Sequence, residues 1–296
     1  MKSNMKKRSL VPAAVLSAAF LVSCFSSCAG TPDAGSGKPV ILVVSFGTSY
    51  SDTREKTIGA VERAIAAAYT DYEVRRAFTS QIIINVIAKR DKIKVDTVDQ
   101  AMKRLVKDKV TELIVQPTHI MNGHEYDEMR KAVKPYEKKF AKVRYGRPLL
   151  ISDADFDEVT SALAENTKQY NANDMAVVFM GHGTDHDANV VYTKLDGSLK
   201  ARGLRRHFVG TVEASPSLDD IIPQLNPRDI KRVVLLPFMI VAGDHANNDM
   251  AGPEDDSWKS ILEKKGFIVT PVLRGLGEYP EIQRIFVRHV GEAIRS

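Results

Sequence analysis

The stretch DMAVVFMGHGTDH (174–186) decides the fold. It begins with a run of apolar, partly β-branched residues and then breaks at two glycines that bracket His182. A short apolar run that ends in glycine is typical of a buried strand in a parallel sheet. The stretch KPVILVVSFGTSY (38–50) has the same plan, with Gly47-Thr48 aligned on Gly183-Thr184. The two stretches therefore indicate two similar units, each opened by the same kind of strand.

Two further segments repeat in the same order. Residues 208–217 align with the segment that contains Phe78, and residues 232–246 align with residues 112–126. Amphipathic helical patterns lie between the strands, for example over residues 97–110. This alternation predicts an α/β fold of two similar lobes, each a parallel sheet flanked by helices. The alternative is that all buried parallel strands look alike and that the match has no structural meaning.

We place the two lobes at residues 38–150 and 151–296, with a cleft between them. The start of the chain has a different composition. Residues 1–24 combine four basic residues, an apolar run of about 13 residues and a cysteine. That run is shorter than the roughly 20 residues that span a membrane and is typical of an export signal. Residues 25–37 are rich in Gly, Ser and Pro, which predicts a flexible tether.

The signal ends in Leu21-Val22-Ser23-Cys24, which resembles the bacterial lipoprotein signal. In that class of protein the cysteine is acylated, so Cys24 is the expected lipidation site. An ordinary signal peptide cleaved nearby is the alternative. We therefore expect an exported protein, periplasmic or in the cell envelope, that is held to the membrane through an N-terminal lipid anchor.

Charge and cysteine content exclude some partners and some metal ligands. The chain has 42 Lys and Arg against 37 Asp and Glu, and four of the basic residues fall in the signal. The remainder is nearly balanced and gives no reason to expect nucleic acid as a partner. Both cysteines, Cys24 and Cys28, precede the predicted lobes. Any metal bound by the lobes must therefore use His, Asp or Glu side chains.

The repeat also shows where the two lobes differ. Ligands of open α/β sheets bind at the carboxyl ends of the strands. At three such ends the second lobe has metal-binding residue types where the first has mostly aromatic ones: His182, Glu213 and His245 against Phe46, Phe78 and Glu125. Two imidazoles and a carboxylate suit Co²⁺, Fe²⁺, Ni²⁺ or Zn²⁺. Each residue alone has an ordinary explanation, as a turn, helix-capping or loop residue, but their matched placement favours a metal site.

Several segments resemble the anaerobic-type sirohydrochlorin cobaltochelatases, which belong to the class II tetrapyrrole chelatases. The matching segments are SFGTSYSDTR (45–54), AFTSQII (77–83), VQPTHIMNGHEY (115–126), MGHGTDHDANVVY (180–192), TVEASPS (211–217) and LPFMIVAGDHANNDMAGPEDDSWK (236–259). The resemblance implies a two-lobed chelatase fold with its active site in the cleft. It also implies insertion of Co²⁺, with Fe²⁺ as the alternative metal, into a tetrapyrrole with release of two protons and without a nucleotide.

The resemblance assigns roles to particular residues. His182, Glu213 and His245 are the expected metal ligands, and His182 and Glu213 are the expected catalytic pair that accepts protons. The expected contacts to the tetrapyrrole are two aromatic rings, one guanidinium and three glycines: Phe46, Phe78, Arg54, Gly181, Gly183 and Gly243. Two further expectations come from position in the sequence alone. His186, four residues after His182, is expected to support that residue, and His119, at a strand end of the first lobe, is expected to face the cleft or a partner.

The export signal departs from the family pattern, because most such enzymes are cytoplasmic. This departure puts a role in cobalamin biosynthesis in doubt. The alternative function is a membrane-anchored carrier of haem or metal ions on the same fold, with His124 as a haem ligand at a subunit contact. We expect a homo-oligomer in either case. A metal-dependent hydrolase is disfavoured, because the sequence contains no evident nucleophile or two-metal carboxylate cluster.

Overall fold

Each half of the chain builds one parallel four-stranded sheet. The computed structural model describes residues 38–226 and 229–296, so the predicted signal, the tether and Cys24 lie outside the described residues. The first sheet has the order β2-β1-β3-β4, and the second has the order β6-β5-β7-β8. The strands are β1 (Val40–Ser45), β2 (Glu73–Phe78), β3 (Glu112–Pro117), β4 (Lys142–Tyr145), β5 (Met175–Gly181), β6 (His207–Thr211), β7 (Arg232–Pro237) and β8 (Ile268–Pro271).

Helices connect the strands and cover the sheets. They are α1 (Ser51–Lys56), α2 (Ile58–Ala68), α3 (Gln81–Asp91), α4 (Val98–Lys107), α5 (His124–Val133), α6 (Asp153–Thr167), α7 (Val190–Ala201), α8 (Leu218–Leu225), α9 (Trp258–Lys264) and α10 (Pro280–Arg295). Single turns of 3-10 helix lie at Lys168–Tyr170, Asp187–Asn189 and Leu276–Glu278, a longer 3-10 segment at Lys134–Lys139, and a π-helix at Ala246–Met250. No helix among the described residues is long and apolar enough to cross a membrane.

This architecture confirms the predicted fold class and several local predictions. The apolar face predicted for residues 97–110 is the buried face of α4, where Ala101 and Leu105 point into the core. The capping box at Thr97 explains why α4 begins there. The backbone at Thr57 leaves the helical region and separates α1 from α2.

The strand pairing confirms the internal repeat and corrects one of its alignments. Val177 of β5 pairs with His207, as Ile41 of β1 pairs with Val74. His207 therefore corresponds to Val74, and counting six residues onward places Glu213 opposite Ser80. The predicted correspondence of Glu213 with Phe78 is wrong by two residues, because the sequence alignment did not fix the register of this strand.

A shared core joins the two sheets. The largest apolar cluster contains residues of β1 and β5 together with α10, and the described residues of both sheets belong to one compact unit. Helix α10 comes last in the chain but packs against α2, β3 and β4 of the first sheet as well as against α6. Its side chains Ile282, Phe286 and Val290 are fully buried, and each contributes about 1.5–3 kcal/mol through burial of apolar surface.

A buried polar network fixes α10 on α6. The Asp155 carboxylate is fully buried and accepts hydrogen bonds from Arg288 (2.6 Å), His289 Nε2 (2.9 Å) and the Ser152 backbone and hydroxyl groups (2.8 Å each). Burial opposes the charge, but the hydrogen bonds from His289, Arg288 and Ser152 outweigh it and hold the pKa of Asp155 well below its usual range. This carboxylate is therefore charged and satisfied in the folded protein.

Replacing Asp155 with Asn should destabilise the fold by about 3–5 kcal/mol at pH 7, because it leaves the Arg288 guanidinium without its counter-charge and the buried His289 ring without its carboxylate partner. The folded-state pKa lies below the unfolded value of about 3.9, so the stabilisation is complete above that pH and is lost as the pH falls below it. Urea unfolding at pH 7 and at pH 3.5 measures both effects. A cost that does not shrink at the lower pH would contradict this assignment.

Asp153→Asn is the matched control for this experiment. Asp153 lies on the same helix turn but is exposed, and its carboxylate pairs with Lys194 at 2.6 Å. A surface ion pair of this kind contributes about 1 kcal/mol or less. The control should therefore unfold close to the wild-type urea concentration.

Candidate active site

The two lobes enclose a cleft of about 670 Å³. This volume lies within the range of small-molecule binding sites. The residues that line the cleft follow the carboxyl ends of β1, β3, β5, β6 and β7: among them are Phe46, Thr48, His119, His182, Glu213, Met239 and His245. The cleft is therefore where parallel sheets place their ligand sites.

The three expected metal ligands meet at one wall of this cleft. His182, Glu213 and His245 each offer one ligand atom, and these atoms lie within 4.8 Å of one another. The His182 Nε2 atom is 3.6 Å from Glu213 Oε1, and the two imidazole rings stand edge to face with centroids 4.7 Å apart. The structure therefore brings together three residues from three separate strand ends, as predicted.

Hydrogen bonds orient both imidazoles of this group. The Nδ1 atom of His182 lies 2.7 Å from the Gly183 carbonyl oxygen, and the Nδ1 atom of His245 lies 2.6 Å from Asp249 Oδ2. A carbonyl and a carboxylate only accept hydrogen bonds, so in each neutral ring Nδ1 carries the proton. The lone pair is then on Nε2. A partner that holds the far nitrogen of a metal-binding histidine in this way is a regular feature of metal sites.

Gly183 makes the approach of His182 and Glu213 possible. Its φ of +86° is a left-handed conformation, which favours glycine. A Cβ at this position would also lie 2.8 Å from the backbone nitrogen of Ala214 and 2.9 Å from Thr211 Cβ. In this tight turn the Glu213 N–H donates to the His182 carbonyl at 2.9 Å. Gly183 lines the cleft as predicted, but the fold itself already requires a glycine there.

Two other predicted substrate contacts also line the cleft. Phe46 is 49% exposed and offers an apolar ring to the space between the lobes. Gly243 lies on the opposite lobe, and a Cβ there would meet Thr48 Oγ1 at 3.5 Å and Val241 Cγ2 at 3.6 Å, which are ordinary contact distances. Phe46 and Gly243 are therefore placed where a flat ligand would contact them.

Gly181 and Phe78 are not placed as predicted. Gly181 is buried at the end of β5, where a Cβ would lie 2.2 Å from the ring of Tyr192. Phe78 is fully buried, and its ring occupies the space beside Gly47, 2.7 Å from where a Cβ would lie. Neither residue lines the cleft, because the Tyr192 ring of α7 covers Gly181 and the Phe78 ring packs in the interior beside Gly47.

Arg54 is also turned away from the cleft. Its side chain is buried, donates to the Thr48 carbonyl at 3.2 Å and lies 3.7 Å from the Asp91 carboxylate. The interpretation of Arg54 as a contact to substrate carboxylates is therefore wrong. Its guanidinium instead supports the loop that follows β1.

The histidines of the first lobe lie in two different surroundings. His119 lines the cleft, but neither of its ring nitrogens has a hydrogen-bond partner among the described residues. Burial lowers the pKa of His119 to about 4, against the opposing effect of Glu125. His119 is therefore a neutral imidazole in the lining of the cleft.

His124 and His186 meet at the mouth of the cleft. The Nε2 atom of His124 lies 2.8 Å from Asp185, and this hydrogen bond raises the pKa of His124. His186 lies edge to face with His124 at 5.0 Å and is 3.6 Å from Asp127. His186 therefore contacts His124 and Asp127 of the first lobe, whereas we expected it to support His182.

The sequence did not indicate the role of Asp249, which orients His245. The two residues lie four apart, the spacing of neighbours on a helix face, and Asp249 is in the π-helix. Segment 243–258 contains many acidic and small residues, which are typical of a loop, so this spacing had no evident meaning. Recognition of a helical turn directly after His245 would have identified Asp249.

The charges that face the cleft have one sign. The charged side chains of the described lining residues are carboxylates, apart from the histidines, and none is Lys or Arg: they are Glu125, Asp185, Glu213 and Asp244. Carboxylates in a cleft attract cations and raise their local concentration. The electrostatics of the cleft therefore suit a divalent metal ion.

The fold and this site together define a two-lobed α/β protein of the metal chelatase class. Solved structures with the same fold include SirB from Bacillus subtilis with Fe³⁺, at a TM-score of 0.58 and 16% identity, covering 87% of this chain and 96% of that one. They also include CbiX, described as the terminal enzyme of sirohaem biosynthesis in denitrifying bacteria, at a TM-score of 0.52 and 14% identity, covering 86% and 99%.

Sequence comparison gives the family. The model of the cobalt chelatase (CbiK) family matches residues 39–295, and the chain belongs to this family. It is similar to a sirohydrochlorin cobaltochelatase of Salmonella typhimurium, with 41% identity over 257 residues, which cover 87% of this chain and 97% of the relative. It is also similar to the sirohydrochlorin cobaltochelatase CbiKC of Nitratidesulfovibrio vulgaris, with 35% identity over 261 residues, covering 88% and 92%.

Replacing Asp249 with Asn should weaken Co²⁺ binding about 10- to 100-fold, because the His245 ring loses the carboxylate that holds Nδ1. Isothermal titration of the purified protein with Co²⁺ measures the change. Asp256→Asn, in the same acidic segment but without a contact to His245, should bind Co²⁺ like the wild type. Equal affinities for all three proteins would show that Asp249 does not act on the site.

Proposed function

We propose that the protein inserts Co²⁺ into sirohydrochlorin, with Fe²⁺ as a second candidate metal, and releases two protons. The observation that carries this proposal is the meeting of His182, Glu213 and His245 at one wall of the cleft, with both Nε2 lone pairs available. The identity of 41% to a named sirohydrochlorin cobaltochelatase, over almost the whole of that relative, supports the substrate.

The metal ion is a substrate in this reaction. His182 Nε2, His245 Nε2 and a Glu213 oxygen would hold it, and three protein ligands leave further coordination positions open. The macrocycle would enter the cleft beside Phe46, with apolar contacts from residues such as Met239 and Ile240. The metal and the ring then meet at the strand ends of the second lobe.

The proton balance follows from the exchange of ligands. Two pyrrole N–H bonds break and four metal–nitrogen bonds form, two of them to the deprotonated nitrogens, so the core of the macrocycle leaves as a dianionic ligand of the divalent metal. The metal gives up its bonds to His182, His245 and Glu213 in the same steps. The freed Nε2 lone pairs and carboxylate can then accept the two protons and pass them to water, since imidazole exchanges protons near neutral pH.

His245→Ala should lower the rate of Co²⁺ insertion about 100-fold or more, because one of three metal ligands is removed. The absorbance change of sirohydrochlorin, mixed anaerobically with Co²⁺ and the purified protein, measures the rate. His207→Gln is a control, because that buried imidazole contacts Thr167 behind the sheet and should alter stability more than rate. Normal insertion by the His245 variant would exclude the proposed ligand set.

The carrier of haem or metal ions is the less supported function, since the relatives reported above are named as cobaltochelatases. It depends on His124, which is exposed at the cleft mouth but hydrogen-bonded to Asp185. A purified protein with a Soret band that His124→Ala removes would favour the carrier. The homo-oligomer stays a prediction that light scattering tests.

Export and lipid anchoring are part of the proposal. They are supported by the basic start, the apolar run and the position of Cys24 at its end. Cys24→Ser should move the protein from the membrane fraction to the soluble fraction and abolish labelling with a fatty acid, because the acylated sulfur is lost. Cys28→Ser should leave both unchanged. A Cys24 variant that stays lipid-labelled would contradict the anchor.

A further inference from the structure

Tyr192 lies directly behind the turn that carries His182. It is the third residue of α7, it is 2% exposed, and it reaches the wall of the cleft. Its hydroxyl oxygen accepts a hydrogen bond from the Gly183 N–H at 3.5 Å. A helix side chain therefore bonds to the backbone directly after His182.

The ring of Tyr192 also fills a notch that Gly181 leaves open. A Cβ on Gly181 would lie 2.2 Å from Cε1 and 2.8 Å from Cζ of this ring. On its other side the ring stands edge to face with Phe238, at 6.3 Å and 79°. Phe238 follows β7, and its N–H donates to Met180 of β5 at 2.7 Å. The Tyr192 ring thus packs against the ends of both β5, which leads to His182, and β7, which leads to His245.

The raised pKa of the buried Tyr192 phenol excludes a role as the general base that removes the pyrrole protons. Burial raises the pKa of Tyr192 to about 12, although the backbone hydrogen bonds from Gly183 and His182 act in the opposite direction. The hydroxyl therefore stays neutral through the working pH range. What it can do is fix the position of the backbone to which it is bonded.

We infer that Tyr192 is the positioning residue for His182. By holding residues 181–183 against α7, it keeps the imidazole at the wall of the cleft, where Nε2 is 3.6 Å from Glu213. This inference rests on the proposed function, in which His182 is a metal ligand. A ligand on a turn with no side chains beside it needs support from elsewhere in the fold, and Tyr192 supplies it.

Tyr192→Phe tests this inference, because it removes one oxygen and leaves the ring in its notch. The dissociation constant for Co²⁺ should rise about tenfold, as is usual when a supporting contact of a metal ligand is lost. The visible absorption spectrum of bound Co²⁺ should change, because the geometry of one ligand is relaxed. The kcat for insertion should fall, while the KM for the tetrapyrrole stays close to that of the wild type.

Tyr69→Phe is the matched control. The Tyr69 hydroxyl donates to the Val287 carbonyl at 2.8 Å and joins α2 to α10 outside the cleft. The control variant should lower the thermal midpoint but leave the Co²⁺ dissociation constant and spectrum unchanged. An equal loss of Co²⁺ affinity in both tyrosine variants would overturn the inference. It would show that Tyr192 affects Co²⁺ binding only through the stability of the fold.

A double-mutant cycle shows whether Tyr192 acts through His182. In a His182→Ala background the Tyr192→Phe substitution should change the Co²⁺ dissociation constant less than twofold, because its target is gone. The same tenfold loss in that background, or a single Tyr192→Phe variant within twofold of wild type, would refute the positioning role. If His182→Ala alone binds Co²⁺ normally, the proposed function fails instead.

Phe238→Leu tests the same inference if the Tyr192→Phe variant does not fold. This substitution removes the ring that packs against Tyr192 and leaves every metal ligand in place. It should weaken Co²⁺ binding in the wild-type background but not in the His182→Ala background. Identical losses in both backgrounds would count against the inference.

Discussion

The close contact between the Gly183 turn and residues 211–214 is the constraint on which the site depends. Because Gly183 has no Cβ and a positive φ, the end of β5 lies directly against the end of β6. The backbone hydrogen bond from Glu213 to the His182 carbonyl then holds two of the three candidate ligands side by side. The third candidate, His245, follows the neighbouring strand β7, whose end parallel pairing places on the same edge of the sheet.

The two lobes contribute different kinds of side chain to the cleft. The second lobe supplies the candidate metal ligands, whereas the first supplies the Phe46 ring and the neutral imidazole of His119 to the lining of the cleft. Carboxylates are the fixed charges around the cleft, so a dication is attracted while cationic side chains that would compete with it are absent from the described lining. The two similar lobes thus differ at the cleft, because one carries the three candidate metal ligands and the other an exposed aromatic ring.

Much of the fold and the ligand group could be predicted because both depend on local pattern. Strand periodicity located the strand ends, and the repeat singled out His182, Glu213 and His245 there. Arg54, Phe78 and Gly181 were misassigned because their surroundings are tertiary: the Asp91 carboxylate, the packing beside Gly47 and the Tyr192 ring come from elsewhere in the chain. The two-residue error in aligning Glu213 arose because only strand pairing fixes register.

The most direct test of the central claim is a crystal structure of the protein soaked with Co²⁺, with anomalous diffraction measured at the cobalt edge. The account predicts one strong peak in the cleft, about 2.0–2.2 Å from His182 Nε2, His245 Nε2 and a Glu213 oxygen. The Nδ1 atoms should keep their bonds to the Gly183 carbonyl and Asp249. A peak at the His124 and His186 pair alone, or ligation through Nδ1, would contradict it.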